Sequence, residues 1–121
     1  MPPAAAHFTA AKMSLAKLRA LISANLDAFA HAEHDERALS SLDFQSSITL
    51  LKVQASELAV ETVMHAMRTA GLSGYRNDGE FTVGRHLRDV LSSPIMINND
   101  RILANAATAT LMSGVPASLR D

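Results

Sequence analysis

The apolar positions of this chain recur with helical spacing in three long stretches, and the breaks between them are rich in glycine, proline or charge. In the first, over residues 9–34, Leu15, Leu18, Ile22, Leu26 and Phe29 fall three and four apart on one face, and Lys12, Lys17, Arg19, Asn25 and Asp27 lie mostly elsewhere. Thr9 is the expected N-cap, and the polar run from His31 to Arg37 reads as helix end plus connection. The second stretch begins after Ser41 or Asp43 and continues to Ala70 without Gly or Pro. It carries two apolar stripes. One is Ile48, Leu51, Ala55, Leu58 and Thr62; the other is Val53, Val60, Val63, Met64 and Met67. A helix apolar on most sides belongs at the centre of its bundle. Its remaining polar line, Gln54, Glu57, Glu61, His65 and Arg68, steps by three or four and reads as a row of charge pairs on a solvated or subunit-facing stripe.

Residues 71–89 interrupt this regularity. They hold four of the five glycines, the single tyrosine and three arginines, a density that marks backbone needing positive φ or close approach. Val83, Leu87, Val90 and Leu91 then predict a short helix over residues 82–91. Ser92-Ser93-Pro94 breaks the chain, and Pro94 suits a first helical position. Ile95, Ile102, Leu103, Ala106, Ala107, Thr110 and Leu111 form a last face over residues 94–113, with Gly114 and Pro116 to stop it. The expected fold is all-α: an up-down helical bundle of three long helices and one short one. One domain spans residues 1–121, with residues 1–8 disordered and 115–121 a tail.

Composition supports helices, with 48% apolar but only 4% aromatic residues. A net charge of −1 lacks the basic footprint of a nucleic-acid binder. The absence of cysteine removes disulfides and thiolate metal sites. No apolar run reaches the ~20 residues of a membrane span. Without a basic-then-apolar start no secretory signal is expected, and a cytoplasmic location is the expectation. His31 and His34, with Glu33, Asp35 and Glu36 nearby, offer too few convergent groups for zinc and read as a polar helix terminus. No metal site and no Ser-His-Asp spacing is expected. Phosphate-loop and dinucleotide fingerprints are absent.

More specific is the order of three motifs: Lys52, Ala55, Ser56 and Glu57 as a Lys-x-x-Ala-Ser-Glu stretch; Gly71-Leu72-Ser73-Gly74-Tyr75; and Glu80-Phe81-Thr82-Val83 followed by Leu87-Arg88-Asp89. Over residues 40–111 this series resembles the C-terminal helical domain of acyl-CoA dehydrogenases, with the family's first helix of that domain missing. The resemblance implies an FAD-dependent oxidoreductase acting on CH–CH groups of acyl thioesters. In that family a carboxylate takes the α-proton while flavin N5 takes the β-hydride. It also implies further domains, dimers or tetramers, and a flavin near Gly74 and near the segment after Asp89, where Asn98 and Asn99 become the cofactor-binding candidates. The run Asn98–Asn105 resembles a subgroup acting on carrier-protein thioesters.

The departures point the other way. Ala70 stands where many members have a glutamine that contacts FAD, and Ser73 replaces the first glycine of a pair. Ile97 stands at the family's base position and cannot accept a proton. No catalytic residue is therefore expected in this chain, and the isolated chain should be inactive. FAD would bind only with the missing domains or a companion chain. The expected partners are a second copy or a companion dehydrogenase chain, with an acyl thioester as substrate of the complete enzyme. The alternative is a non-catalytic, dehydrogenase-derived bundle that oligomerises or scaffolds.

Overall fold

The structure is a computed structural model that describes residues 3–76, 78–80, 82–96 and 98–113. Its elements are α1 (Pro3–Ala32), α2 (Glu36–Leu39), α3 (Leu42–Ala70), α4 (Leu72–Tyr75), α5 (Gly84–Ser92) and α6 (Asn99–Ser113), and the described residues contain no strand. The all-α expectation is met, with two single-turn helices, α2 and α4, added inside segments read as connections.

Helix α3 is the hub and touches every other helix. Ser41 caps it, accepting from the Phe44 N–H at 3.1 Å. It ends at Gly71, where φ is +65° and ψ −142°, a backbone region almost confined to glycine. The Gly71 N–H closes the last turn on Met67 O at 2.8 Å. Helix α1 runs antiparallel to α3, since His7 stacks on His65 (ring centroids 6.3 Å apart) and Ser14 further along donates to Glu61 at 3.0 Å. Helix α6 is also antiparallel to α3: Asn99 meets Ser56, while Ile102 and Ala106 share a hollow with Leu42 and Thr49.

Several expectations are corrected. Helix α1 begins at Pro3, not Thr9, so residues 3–8 are helical where disorder was expected. Proline suits a first turn and three alanines follow it. Thr9 lies inside the helix, its hydroxyl bonded back to Ala5 O at 2.9 Å. The polar run 31–37 contains the start of α2, capped by Asp35, which accepts from Arg37 N (3.0 Å) and Ala38 N (3.2 Å). Helix α6 starts at Asn99 instead of Pro94. Asn98 caps it, its backbone O accepting from Arg101 and Ile102 and its Oδ1 from Asp100 N at 3.0 Å, and an Asn cap outcompetes a proline first turn. Ile97, the proposed stop at Gly114 and Pro116, and the tail 115–121 lie outside the described residues.

The largest correction concerns the inner face of α1. Of the five residues read as one face, Leu15, Ile22, Leu26 and Phe29 do not pack inward: they are 44%, 42%, 62% and 46% exposed, and only Leu18 is half-buried. The less exposed face of α1 mixes small and polar groups, His7, Ala11, Ser14 and Asn25, with two leucines, Leu18 and Leu21. Small side chains let two helix backbones approach, and Leu15, Ile22, Leu26 and Phe29 are left to the flank. Among the described residues the buried apolar ones are Ala32, Val53 and Ala106, at 7%, 3% and 8% exposure, and no large side chain is fully buried. Among the described residues no helix is long and apolar enough to cross a membrane.

Candidate functional site

The glycine corner follows directly from the end of α3. After Gly71 the chain makes the one turn of α4, in which Gly74 N–H donates to Gly71 O (3.0 Å) and Arg76 N–H to Leu72 O (3.2 Å). The chain then returns over the corner: Val83 N–H donates to Gly74 O at 2.8 Å, and the Thr82 hydroxyl reaches the same oxygen at 3.5 Å. Gly74 is buried. A Cβ placed on it would lie 2.7 Å from the Ala70 methyl and 3.4 Å from Val83 Cγ2. Glycine here serves close approach of α3, α4 and the returning strand of backbone. Beside the corner lies an open polar hollow of about 310 Å³ lined by Ser73, Arg76, Asp78, Gly79 and Glu80. Its ion pair, Arg76–Asp78 at 3.4 Å, is exposed and contributes little.

The second candidate region joins α6 to α3. Asn99 is buried at 7% exposure. Lys52 Nζ donates to Asn99 Oδ1 at 2.6 Å, and Asn99 Nδ2 donates to Ser56 Oγ at 3.0 Å. Ser56, itself buried, donates to Lys52 O (2.7 Å) or Val53 O (2.9 Å). The side-chain amide is thus used at both ends inside the chain, as a buried polar group must be. Asn98 is different: it is exposed, with its Oδ1 on the α6 cap.

The structure brings Lys52, Ser56 and Asn99 together, so two of the sequence motifs meet in space. It does not bring Gly74 to Asn99. Asn99 docks at Ser56 and Gly74 at Ala70, fourteen residues along α3, or about 21 Å at the helical rise. As a fit test for FAD the outcome is negative within one chain: Gly74 N–H and the Asn99 amide are already paired, the space beside Gly74 is filled by Ala70, and the candidates do not converge. The Lys52–Asn99–Ser56 link escaped sequence reasoning. Its signal was present, a lysine and a serine one turn apart and off the polar line of Gln54, Glu57 and Glu61.

The polar line of α3 also differs from its expectation. Its partners lie across on α1 instead of along the helix: Glu61 accepts from Ser14 and His65 stacks on His7, with His65 Nδ1 buried and without a hydrogen-bond partner. Gln54, Glu57 and Glu61 with Lys17 and Leu21 line an open groove of about 460 Å³. At the α1–α2 junction His31 Nδ1 bonds Asp27 O at 2.8 Å and His34 meets Glu33 at 3.2 Å, a helix terminus in every respect. Among the described residues no three His, Asp or Glu gather into a metal-sized cluster.

The family model described as acyl-CoA dehydrogenase, C-terminal domain, matches residues 4–112. No curated protein and no solved structure matches the chain. Because the match runs from α1 through the Lys52–Ser56 motif and the glycine corner to the end of α6, the chain belongs to the acyl-CoA dehydrogenase C-terminal domain family.

Proposed function

We propose that this chain is the C-terminal helical domain of an FAD-dependent oxidoreductase that acts on the CH–CH group of acyl thioesters of coenzyme A or of a carrier protein. FAD, when bound, supplies the two-electron acceptor; this chain supplies a helical wall and no proton acceptor. The observation that carries the reading is the family match over residues 4–112 together with isoleucine at position 97. An alkyl side chain cannot take a proton, and a dehydrogenase pocket needs walls on several sides. Gly74 and Asn99 then act as shaping residues whose close packing and buried pairing fix the corner and α6. Asn98, exposed at the start of α6, is the one of the three we assign to a flavin held largely by other domains or another chain. A cytoplasmic location and a homo-oligomer or companion chain complete the reading. The scaffold alternative shares the same fold and differs only in never meeting flavin.

Purification of the chain alone, and together with a dehydrogenase chain encoded beside it, tests this. The expected result is a colourless, inactive chain alone, even with added FAD and acyl thioester, and flavin absorbance with turnover for the pair. Turnover by the chain alone overturns it. A pair that assembles without ever taking up flavin selects the scaffold.

A further inference from the structure

The backbone that leaves the glycine corner carries a chemical feature found once in the chain. Asp78-Gly79 is the one Asp-Gly pair in the sequence, and no Asn-Gly pair occurs. The amide nitrogen of the residue after an aspartate can attack the side-chain carboxyl carbon and close a five-membered succinimide ring. A Cβ on that next residue crowds the approach, and glycine has none. Helical backbone also prevents the attack. There ψ is about −42°, which turns the nitrogen away, and its N–H is held by a carbonyl four residues back.

The other described aspartates and asparagines are held. Asp27, Asp43, Asp89 and Asp100 lie within helices and precede Ala28, Phe44, Val90 and Arg101. The Asp35 carboxylate is engaged on the α2 cap, where it accepts from Arg37 N and Ala38 N. Asn25 and Asn105 are helical, Asn98 caps α6, and Asn99 is paired at both ends. Asp78 and Gly79 instead sit in a bend outside every helix, and both are exposed. The ion pair of Asp78 with Arg76, at 3.4 Å, is open to water on both sides (75% and 64% exposed), so it does not fix the carboxyl in one orientation. The polar hollow of about 310 Å³ that both residues line gives a ring room and water.

We infer that Asp78 is a site of spontaneous isomerisation, converted through a succinimide to isoaspartate, which makes the chain a substrate for a methyltransferase that recognises isoaspartyl carboxylates. Gly79 N attacks Cγ of the protonated Asp78 carboxyl. A C–N bond forms, the C–OH bond breaks, and water leaves with the amide proton. A water molecule then opens the ring. Attack at the side-chain carbonyl restores aspartate. Attack at the backbone carbonyl leaves the chain running through Cβ and Cγ, one carbon longer, with the former carbonyl as a free carboxylate. Water is lost once and regained once, so mass is unchanged and no oxidant or reductant is needed. The inserted carbon falls inside the loop that Val83 N–H closes on Gly74 O at 2.8 Å, so the isomer closes the glycine corner less tightly. This inference goes beyond the proposed function and does not depend on flavin.

The test is to age the full chain for weeks at neutral pH, folded and in urea, and then to cut it with trypsin. The peptide that follows Arg76 is expected to split into two forms of equal mass, whereas a deamidated asparagine would change the mass. The new form is expected to take a methyl group from S-adenosylmethionine with a purified isoaspartyl methyltransferase, and fragmentation to place the β-linkage at residue 78. Asp78→Glu is expected to lower methyl uptake about tenfold or more, since its ring would need six members, and Gly79→Val to lower it about as far, since a branched Cβ crowds the nitrogen. Folded and urea-treated chains are expected to isomerise within about threefold of each other, because an exposed bend restrains neither group. In the separated isomer the Val83 amide is expected to exchange faster, and an unchanged rate would overturn the effect on the corner. An aged wild-type chain without the second form, methyl uptake unchanged in Asp78→Glu, or a reaction about tenfold faster in urea would each overturn the inference, the last because the fold would then protect the site.

Discussion

The two sides of α3 are built on opposite terms. On the side of α6 and the glycine corner, contacts are few, specific and polar: Lys52 and Ser56 grip one buried asparagine, and Gly74 lets the backbone return within hydrogen-bonding distance. On the side of α1 the contact is long and mixes small and polar groups with Leu18 and Leu21, and it leaves Phe8, Leu15, Ile22, Leu26 and Phe29 exposed. The first side is pinned by these polar links, although Leu103, Leu111 and Met112 of α6 and Leu72 and Tyr75 of the corner stay exposed. The second is held by a longer contact without such a buried polar link to a single side-chain amide. A bundle can thus be well defined in its topology and still lack a sealed core, because the features that fix direction are not the features that bury area.

The sharpest way to break the pinned side is at Gly74. Gly74→Val puts a branched side chain where even a Cβ meets Ala70 at 2.7 Å. We expect about 3 kcal/mol of destabilisation in urea unfolding, as for overpacking against a methyl that cannot rotate away. Next is Asn99→Ala, which removes two hydrogen bonds between α6 and α3. A loss of about 2 kcal/mol is expected, with α6 amides exchanging faster while those of α1 are unchanged. The effect of Ser56→Ala should not add fully to it, since both remove the same bond. Smallest is Ile22→Ser on the α1 side. At concentrations where the chain is monomeric it should cost within about 0.5 kcal/mol, as at an exposed position. If Ile22→Ser instead cost as much as Asn99→Ala in the monomer, the two sides would not differ as described.

Much of this fold was legible in the chain. The extent of α3 followed from an uninterrupted run between a cap at Ser41 or Asp43, of which the structure uses Ser41, and a glycine stop, because cap and stop chemistry are local. The start of α6 was misread because Pro94 and Asn98 both offer a first turn, and only the structure shows that the Asn98 oxygen is aimed at the following N–H groups. The inward face of α1 was misread for a more general reason. Apolar residues spread over more than one heptad register do not say which register meets the neighbouring helix. Here His7, Ser14 and Asn25 lie inside and Leu15, Ile22 and Phe29 outside, so hydrophobicity alone pointed to the wrong flank. The candidate site was legible only as positions. That Asn99 would be tied to Lys52 and Ser56 requires two segments separated by the whole glycine corner, which no local pattern encodes.

The contrast between the two sides is tested most directly by amide hydrogen exchange of the wild-type chain beside Asn99→Ala and Ile22→Ser, at a concentration where the chain is monomeric. Protection of α6 near Asn99 is predicted to fall in Asn99→Ala and to stay in Ile22→Ser. Protection of α1 between Phe8 and Phe29 is predicted to stay in both. Unchanged α6 protection in Asn99→Ala, or a parallel loss in both helices in either variant, would contradict the account.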